Sequence, residues 1–318
     1  MKFSFVHILA FAHLTLLWSC EKVEIPETDW NRYDVPVFRD YIPEENYQAA
    51  SDGHVFFIDD QRYMIYSGDH QGVSSIKLAT SYTWIDWDTS GTLLGAVGPS
   101  GKDVEKETSF YRKRIDGVHQ IYYIGYPNNE TYEAEIYLAE SYHIEGPYEQ
   151  KDAPIIPRGT IAGKEVYCMT SPSVVEHEGL LYMCFLGWNA APDKVTEVWT
   201  FGAISENGGA TWSSFEEIDC PIGMEGQITK GPDNRFYAVS TGAYDNREAI
   251  FYAEANHPYG PWTRDSIPIL TQAGKPFEKD EIIAPQITFD PATGQKYLYY
   301  TGANHKKGWW MMMATESD

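Results

Sequence analysis

Basic residues are scarce in this chain of 318 residues. It carries 24 Lys and Arg against 46 Asp and Glu, which gives a formal net charge of −22. A chain this acidic repels polyphosphate and lacks the counterion release that drives nucleic-acid binding. The charge therefore argues against a nucleic-acid partner, disfavours strongly anionic polymers and favours a neutral ligand.

A long amphipathic period of 3.6 residues is absent, which argues against an α/β fold. The chain is instead rich in aromatic residues (15%), with 26 Gly and 18 Pro, a mixture that favours strands punctuated by turns. It is 43% hydrophobic and 22% charged, so it can bury a substantial core. These proportions predict one large all-β domain, a class that often exceeds the usual domain length.

One apolar stretch stands out, from Phe3 to Leu17 behind a single basic residue, Lys2. This pattern is typical of an export signal, and the stretch is short for a membrane span, so a transmembrane anchor is the weaker alternative. Leu17-Trp18-Ser19-Cys20 resembles a bacterial lipobox, although Trp18 departs from the usual pattern. The resemblance implies a signal peptide over residues 1–19 and lipidation of Cys20. We therefore expect an exported lipoprotein of the outer membrane, on the periplasmic face or the cell surface, that touches the membrane only through its lipid.

Cysteine is rare as well. With Cys20 used for lipidation, Cys168, Cys184 and Cys220 remain, and an odd number gives no disulfide framework. No CxxC pair or His-rich spacing indicates zinc, so no metal site is predicted and no cofactor is required.

An internal repeat determines the predicted architecture, because a period of several tens of residues is the signature of repeat folds. Five aromatic strands each end in glycine, and the glycines are 57, 62, 55 and 60 residues apart. The five strands are Tyr63–Gly68, Gln120–Gly125, Tyr182–Gly187, Phe236–Gly242 and Tyr297–Gly302.

Each repeat contains about four strands joined by hairpins, and five such units predict a five-bladed β-propeller of four-stranded antiparallel blades over residues 46–318. Residues 20–45 are predicted to be an N-terminal tether. The fifth unit ends after its third strand, so we expect the segment from Tyr33 to Arg39 to close it, because an open blade would leave an unpaired edge. We expect a monomer.

The first strand of every blade lines the central axis of a propeller, so residues at its start meet in one pocket. Three carboxylates are predicted to converge there. Glycoside hydrolysis needs one carboxylate as base or nucleophile and a second that is protonated, and crowding raises the pKa of one of them. The structural alternative for each acid is a turn cap or a contact to backbone amides. Aligned on the following glycine, the five positions are Asp52, Glu107, Ser171, Glu225 and Ala284.

These segments resemble the five-bladed propeller glycoside hydrolases of family 43 and the related families 32, 62 and 68. Met224-Glu225-Gly226-Gln227 looks like the segment that carries the general acid of that group, and Asp52 falls where family 43 has its general base. The resemblance implies that Asp52 is the base and Glu225 the acid of a hydrolase that acts, with inversion, on a neutral plant or microbial polysaccharide or oligosaccharide.

Two positions depart from the family pattern: Gly53 replaces a proline, and Ser171 stands where a third aspartate is usual. Glu107 is expected to take the part of that third acid. The alternative is a non-catalytic glycan-binding lipoprotein of the same fold. Because some relatives hold calcium near the axis, the resemblance also allows an axial calcium ion.

Carbohydrate contacts are assigned to residues near the predicted mouth of the propeller, where loops carry function. Indole faces can stack on sugar C–H surfaces, whereas aromatics within strands are expected to form the core. The predicted substrate-binding residues are His54, Ser171, Trp84, Trp87, Trp188, Arg112 and His305.

The segment Ser205–Trp212 matches the Asp-box of sialidase-like propellers, with Asn207 in the aspartate position. Because only one copy occurs, we interpret it as a device that stabilises a turn. A sialidase would need several copies and an arginine triad.

Overall fold

The computed structural model describes residues 28–42, 47–70, 73–95, 104–127, 131–191 and 193–317. The predicted signal peptide and Cys20 lie outside the described residues. Within these ranges the chain is all-β, with no helix, as the sequence predicts. No described segment forms a helix long and apolar enough to cross a membrane.

The strands group into antiparallel units in chain order. Two short strands precede the units, β1 (Trp30–Arg32) and β2 (Tyr41–Ile42). The first unit holds β3 (Tyr47–Ile58), β4 (Gln61–His70), β5 (Val73–Ser81) and β6 (Asp88–Leu94). The second unit holds β7 (Glu105–Lys113), β8 (His119–Tyr126), β9 (Glu135–Ser141) and β10 (Glu149–Gln150). A small hairpin, β11 (Gly159–Ile161) with β12 (Lys164–Val166), follows it.

The third unit holds β13 (Cys168–His177), β14 (Leu180–Trp188), β15 (Val198–Ser205) and β16 (Ser213–Glu217). The fourth holds β17 (Met224–Lys230), β18 (Phe236–Tyr244), β19 (Arg247–Ala255) and the short strands β20 (Thr263–Arg264) and β21 (Leu270–Thr271), which both pair with β19. The last holds β22 (Glu281–Phe289), β23 (Lys296–Asn304) and β24 (Gly308–Glu316).

Each unit is a meander in which the strands pair in chain order, except that β21 pairs with β19 and not with β20. The turns between the first and second strands fall where the sequence places them. Asp59, Asp60, Gly117, Gly179 and Gly294 have positive φ there, as tight turns require. The result is a set of sheets whose first strands all begin at the same end; we call it the entry end.

The first strands of the units touch one another in a closed cycle. β3 contacts β7, β7 contacts β13, β13 contacts β17, β17 contacts β22, and β22 contacts β3. Aromatic side chains of the glycine-ended strands fill the layers between units, and Tyr66, Tyr122, Phe185, Phe236 and Tyr300 are fully buried. This confirms that the aromatics within strands form the core. It also brings the first strands around a common axis.

The outer edge of β24 is covered by chain from the N-terminal region. β1 pairs antiparallel with β24, from Trp30 opposite Glu316 to Arg32 opposite Ala314. The ladder begins just before the predicted segment Tyr33–Arg39, and that segment continues along β24: the amides of Tyr33 and Val37 donate to the carbonyls of Met313 and Met311, and Phe38 forms a bridge with Met311. Pro36 interrupts the ladder within this segment, because it has no N–H to donate.

A buried ion pair fastens β1 to the last unit. The Arg32 guanidinium donates to the carboxylate of Glu278 and to the carbonyl of Thr271, and Glu278 is fully buried. The Tyr300 hydroxyl donates to the second oxygen of Glu278. Because a buried carboxylate needs such partners, this network ties the N-terminal strand to the core.

Candidate active site

The same β-bulge occurs near the start of every first strand. At each bulge two residues of the first strand face one of the second, and the first of the two has positive φ although it is not glycine. Positive φ is uncommon outside glycine, and such strain concentrates at functional sites. The five positive-φ residues are Asp52 (52°), Thr108 (43°), Ser171 (56°), Glu225 (56°) and Ala284 (50°).

The bulges correct the predicted alignment in the second unit. Thr108, not Glu107, is equivalent to Asp52 and Glu225, so the register predicted for Glu107 is wrong by one residue. Glu107 is equivalent to Ser51, the residue before the bulge. The distance from bulge to glycine varies between units, and counting from the glycine therefore could not fix this position.

Asp52 is held in its strained conformation by hydrogen bonds from two strands. Its amide donates to Thr301 Oγ1 over 3.0 Å, and Ser51 Oγ donates to its Oδ2 over 2.9 Å. The side chain is buried. At the next residue, Gly53, a Cβ would stand 2.6 Å from Cε of Met311, which is the end of a flexible side chain.

Glu225 depends on the glycine that follows it. A Cβ at Gly226 would lie 1.9 Å from the carbonyl oxygen of Ile222 and 2.2 Å from that of Val239. Backbone atoms cannot move aside as a flexible side chain can. Gly226 therefore allows the chain to turn so that Glu225 occupies the bulge, where it is half-buried.

Ser171 occupies the same position in the third unit and is fully buried. Its hydroxyl lies 3.4 Å from Thr170 Oγ1. The structure thus brings Asp52, Ser171 and Glu225 to equivalent places around the axis, and Ser171 supplies no charge there.

Two residues beyond each bulge, a second layer of side chains meets across the axis. His54 Nδ1 lies 2.7 Å from Gln227 Oε1, and the His54 ring packs 4.2 Å from that of Phe110. Burial lowers the pKa of His54 to about 4, so the ring is neutral at neutral pH and donates through Nδ1. His54 therefore acts here as an axial hydrogen-bond donor beneath the carboxylates.

This layer does not fit the calcium ion that the resemblance allows. Calcium prefers six to eight oxygen ligands. Gln286 instead accepts from Val55 N–H and donates to two backbone carbonyls, and Ser173 Oγ is bonded to the backbone of Ile228. Within the described ranges no group of three or more His, Cys, Asp or Glu side chains could hold a metal ion.

Tyr126, the last residue of β8, lies at the entry end, where it pairs with Glu105 at the start of β7. Burial holds the pKa of its hydroxyl well above the usual range, and the charges of Glu107, Glu225 and Asp52 raise it further. A tyrosine with so high a pKa remains a hydrogen-bond donor at neutral pH.

Two further acids, Glu248 and Glu281, lie at the entry end of β19 and β22. Burial raises the pKa of Glu248 to about 8, with smaller increases from the charges of Glu281 and Glu225. Glu248 Oε2 accepts a hydrogen bond from the amide of Ile282 over 2.7 Å, and this bond lowers the pKa of Glu248. Glu281 is buried, and its Oε1 lies 2.8 Å from His305 Nε2. The structure thus places His305 at the entry end, in contact with the carboxyl group of Glu281.

Trp188 is the only one of the three predicted sugar-stacking tryptophans that lies at the entry end. It pairs with Cys168, three residues before Ser171. Trp84 and Trp87 follow the last residue of β5, which is at the opposite end of the sheet. The Trp84 ring stacks 3.7 Å from Tyr297. The structure therefore does not bring Trp84 and Trp87 together with the carboxylates.

Arg112 also lies away from the carboxylates. It pairs with Gln120 next to the turn between β7 and β8, and its guanidinium donates to Gln120 Oε1 and to Glu176 Oε2, each over 3.0 Å. Arg112 thus lies at the end of the sheets opposite the bulges. Its ion pair with Glu176 joins the second unit to the third.

The Asp-box segment stabilises a turn, as interpreted from the sequence. Asn207 Oδ1 accepts from the amide of Thr211 over 2.9 Å, and Ser205 Oγ accepts from the amide of Gly209 over 2.9 Å. Trp212 packs edge-on against Tyr122 in the core.

Sequence reasoning missed Tyr126 and Glu248. Both lie outside the first strands, at the entry-end tips of a second and a third strand. Tyr126 directly follows the repeat glycine Gly125, and that position is the only signal in the sequence that could have indicated it.

No protein-family model matches the chain, and no curated protein matches it by sequence. Its fold is similar to that of an α-L-arabinofuranosidase from Podospora anserina in complex with cellotriose, with a TM-score of 0.66, 12% identity and coverage of 92% of this chain and 98% of that chain. A GH43_1 enzyme from Xanthomonas citri complexed with xylose has a TM-score of 0.63 and 15% identity over 89% of this chain and 90% of that chain. A thermostable family-43 glycoside hydrolase has a TM-score of 0.64 and 15% identity over 84% and 88% of the two chains. The resemblance to propeller glycoside hydrolases of family 43 and its relatives is thus confirmed at the level of the fold.

Proposed function

We propose that this chain is a five-bladed propeller glycoside hydrolase that cleaves O-glycosyl bonds in a neutral plant or microbial polysaccharide or oligosaccharide. The observation that carries the proposal is that Asp52 and Glu225 occupy equivalent β-bulges on first strands that contact one another around a common axis. The fold, which glycoside hydrolases share, and the closed cycle of first strands support it.

In this proposal Asp52 is the base and Glu225 the acid. Asp52 takes a proton from the attacking water, while Glu225 gives its proton to the leaving oxygen, so the anomeric centre inverts in one step. The bonds to Ser51 and Thr301 hold Asp52 in place for this role. Product analysis by ¹H NMR within the first minutes of turnover tests the stereochemistry: inversion gives the opposite anomer, and retention would contradict the single-step mechanism.

Residues 1–19 form a signal peptide, residues 20–45 a lipid-bearing tether and residues 46–318 the catalytic propeller in this proposal. The protein then acts as a monomer at the outer membrane, with no required cofactor. Labelling of cells with a radioactive fatty acid tests this assignment. A Cys20→Ala variant should lose the label.

A non-catalytic glycan-binding protein is the second candidate, and one observation favours it: the buried Ser171 brings no charge to a position equivalent to Asp52 and Glu225. The variant Asp52→Asn separates the two candidates. A hydrolase loses turnover and retains affinity for its oligosaccharide. A binding protein shows no turnover before the substitution and unchanged affinity after it.

A further inference from the structure

A cavity of about 260 Å³ lies where the outer edges of the fourth and the last unit meet. One wall is formed by β1, which covers the edge of β24, and the other by the segment from Pro268 to Lys275, which contains β21. The cavity is open to solvent on one side. It is separate from the ring of first strands that carries Asp52 and Glu225.

Much of the cavity wall is apolar. Trp30, Ile269 and Leu270 line it and belong to one buried hydrophobic cluster, and Pro268 adds a further apolar surface. Ligand sites typically combine such walls with a few well-placed polar groups, and drug-sized ligands occupy about 300–1,000 Å³. A somewhat smaller cavity suits a ligand of the size of one sugar ring, whose C–H face can pack on an indole.

One polar group in this wall is unsatisfied. Thr271 is 6% exposed, and its Oγ1 has no hydrogen-bond partner among the described residues. A buried hydroxyl without a partner is costly, so such a group in a folded protein requires an explanation. A hydroxyl of a ligand in the cavity would supply the partner.

Two cationic side chains, Arg32 and Lys275, also line the cavity. Arg32 is compensated by the buried Glu278 and therefore adds little net charge. The Lys275 ammonium instead bonds to the carboxylate of Asp34, which is largely exposed. An exposed ion pair contributes little to stability, so another carboxylate can take the place of Asp34 on Lys275.

We propose that this cavity is a second carbohydrate site, which binds a single uronic acid residue. The sugar ring packs on Trp30 and Leu270, and its carboxylate binds Lys275. A ring hydroxyl completes the bonding of Thr271. The net charge of −22 does not prevent this binding, because exposed charges are largely screened beyond about 8 Å at physiological ionic strength.

This site goes beyond the proposed hydrolase function, since it shares no residue with the bulges of the first strands. It would hold an acidic sugar of a polysaccharide at the side of the propeller, whereas the bond to be cleaved lies at the entry end.

A ¹H–¹⁵N NMR titration tests the proposal. The reporter is the indole N–H signal of Trp30, which the variant Trp30→Phe assigns. The probes are D-glucuronate and D-galacturonate, and the controls are D-glucose, which lacks the carboxylate, and acetate, which lacks the ring. At least one uronate should shift the Trp30 signal saturably and bind at least about tenfold more tightly than either control, because the charged hydrogen bond and the ring contacts are both needed.

Four variants locate the binding in this cavity. Lys275→Met should weaken uronate binding about 10- to 100-fold, because it removes the charged partner of the carboxylate. Thr271→Val, which keeps the side-chain shape, should weaken it about 3- to 10-fold. Asp34→Asn should tighten it about two- to fivefold, because a neutral side chain competes less for Lys275. The control Lys151→Met removes a similarly exposed lysine that pairs with Glu140, and it should leave binding unchanged.

The absence of a saturable shift with either uronate would overturn the proposal. Acetate that binds as tightly as the uronates would show only an anion contact at Lys275, and glucose that does so would remove the role of the carboxylate; either result overturns the assignment. Unchanged uronate binding in Lys275→Met would place the ligand elsewhere. The titration needs no turnover, so its result is independent of whether the protein hydrolyses glycosides.

Discussion

Arg32 is expected to be the residue on which the attachment of the N-terminal strand depends. In Arg32→Met the aliphatic stem remains, but Glu278, which is fully buried, keeps only the Tyr300 hydroxyl as a partner. Removing one member of a buried ion pair costs about 3–5 kcal/mol, because the other charge is left uncompensated. At roughly 2 °C per kcal/mol for a chain of this size, Tm should fall by about 6–10 °C.

Differential scanning calorimetry measures this effect, and Lys275→Met is the matched control. Lys275 pairs with Asp34 on the surface, where the two side chains are 36% and 82% exposed. Such a pair contributes about 0–1 kcal/mol, so Tm should change by about 2 °C or less. The double variant Arg32→Met/Glu278→Met should regain at least half of the loss, since it removes the buried charge. If Arg32→Met is no less stable than Lys275→Met, the assigned role of the N-terminal strand is refuted.

Three further predictions test the site. Gly226→Ala should lower kcat about 100-fold in steady-state assays, because its Cβ would press on the Ile222 carbonyl and displace the acid; an unchanged kcat would contradict this geometry. Folded Glu248 has a pKa of about 8 against an ordinary 4.5, so its folded form binds the extra proton and loses stability as pH rises through 8. Glu248→Gln should thus match wild type in urea unfolding at pH 5 and, after solvent screening, be about 2 kcal/mol more stable at pH 9; equal stability at pH 9 would refute the assignment. Trp188→Ala should weaken oligosaccharide binding about tenfold by calorimetry while Trp84→Ala leaves it unchanged, and the reverse order would place the sugar at the other end of the sheets.

The repeat made the fold predictable because each unit carries the same signals. An aromatic strand that ends in glycine, such as Tyr63–Gly68, can pack between sheets along its length. Its terminal glycine has no side chain, so neighbouring residues can approach the strand closely there. Turn residues such as Asp59 and Asp60 mark the hairpins before it. Pairing of the N-terminal segment with β24 starts at Trp30, a few residues before the predicted Tyr33–Arg39, and nothing in the periodicity reveals where pairing starts.

The candidate site was predictable only along the first strands. Asp52, Ser171 and Glu225 fall at the bulges, whereas Glu107 was shifted by one residue, because the spacing between bulge and glycine differs from unit to unit. A sequence repeat indicates position along a strand, but the groups around a carboxylate come from other strands. The pKa of Glu248 depends on β22 of the last unit and on β17 of its own unit, and no pattern around it indicates this.

Release of sugar by the mature protein from Glu21 onward tests the central claim most directly. Wild type, Glu225→Gln and Asp52→Asn should be compared on a panel of aryl glycosides and plant polysaccharides, with released sugar measured by chromatography. The account predicts release by wild type and a loss of at least about 100-fold in each variant, since each removes one of the two proton transfers. Release that persists undiminished in Glu225→Gln would contradict the assignment of the acid, and retention of polysaccharide without release by any of the three proteins would contradict the hydrolase itself.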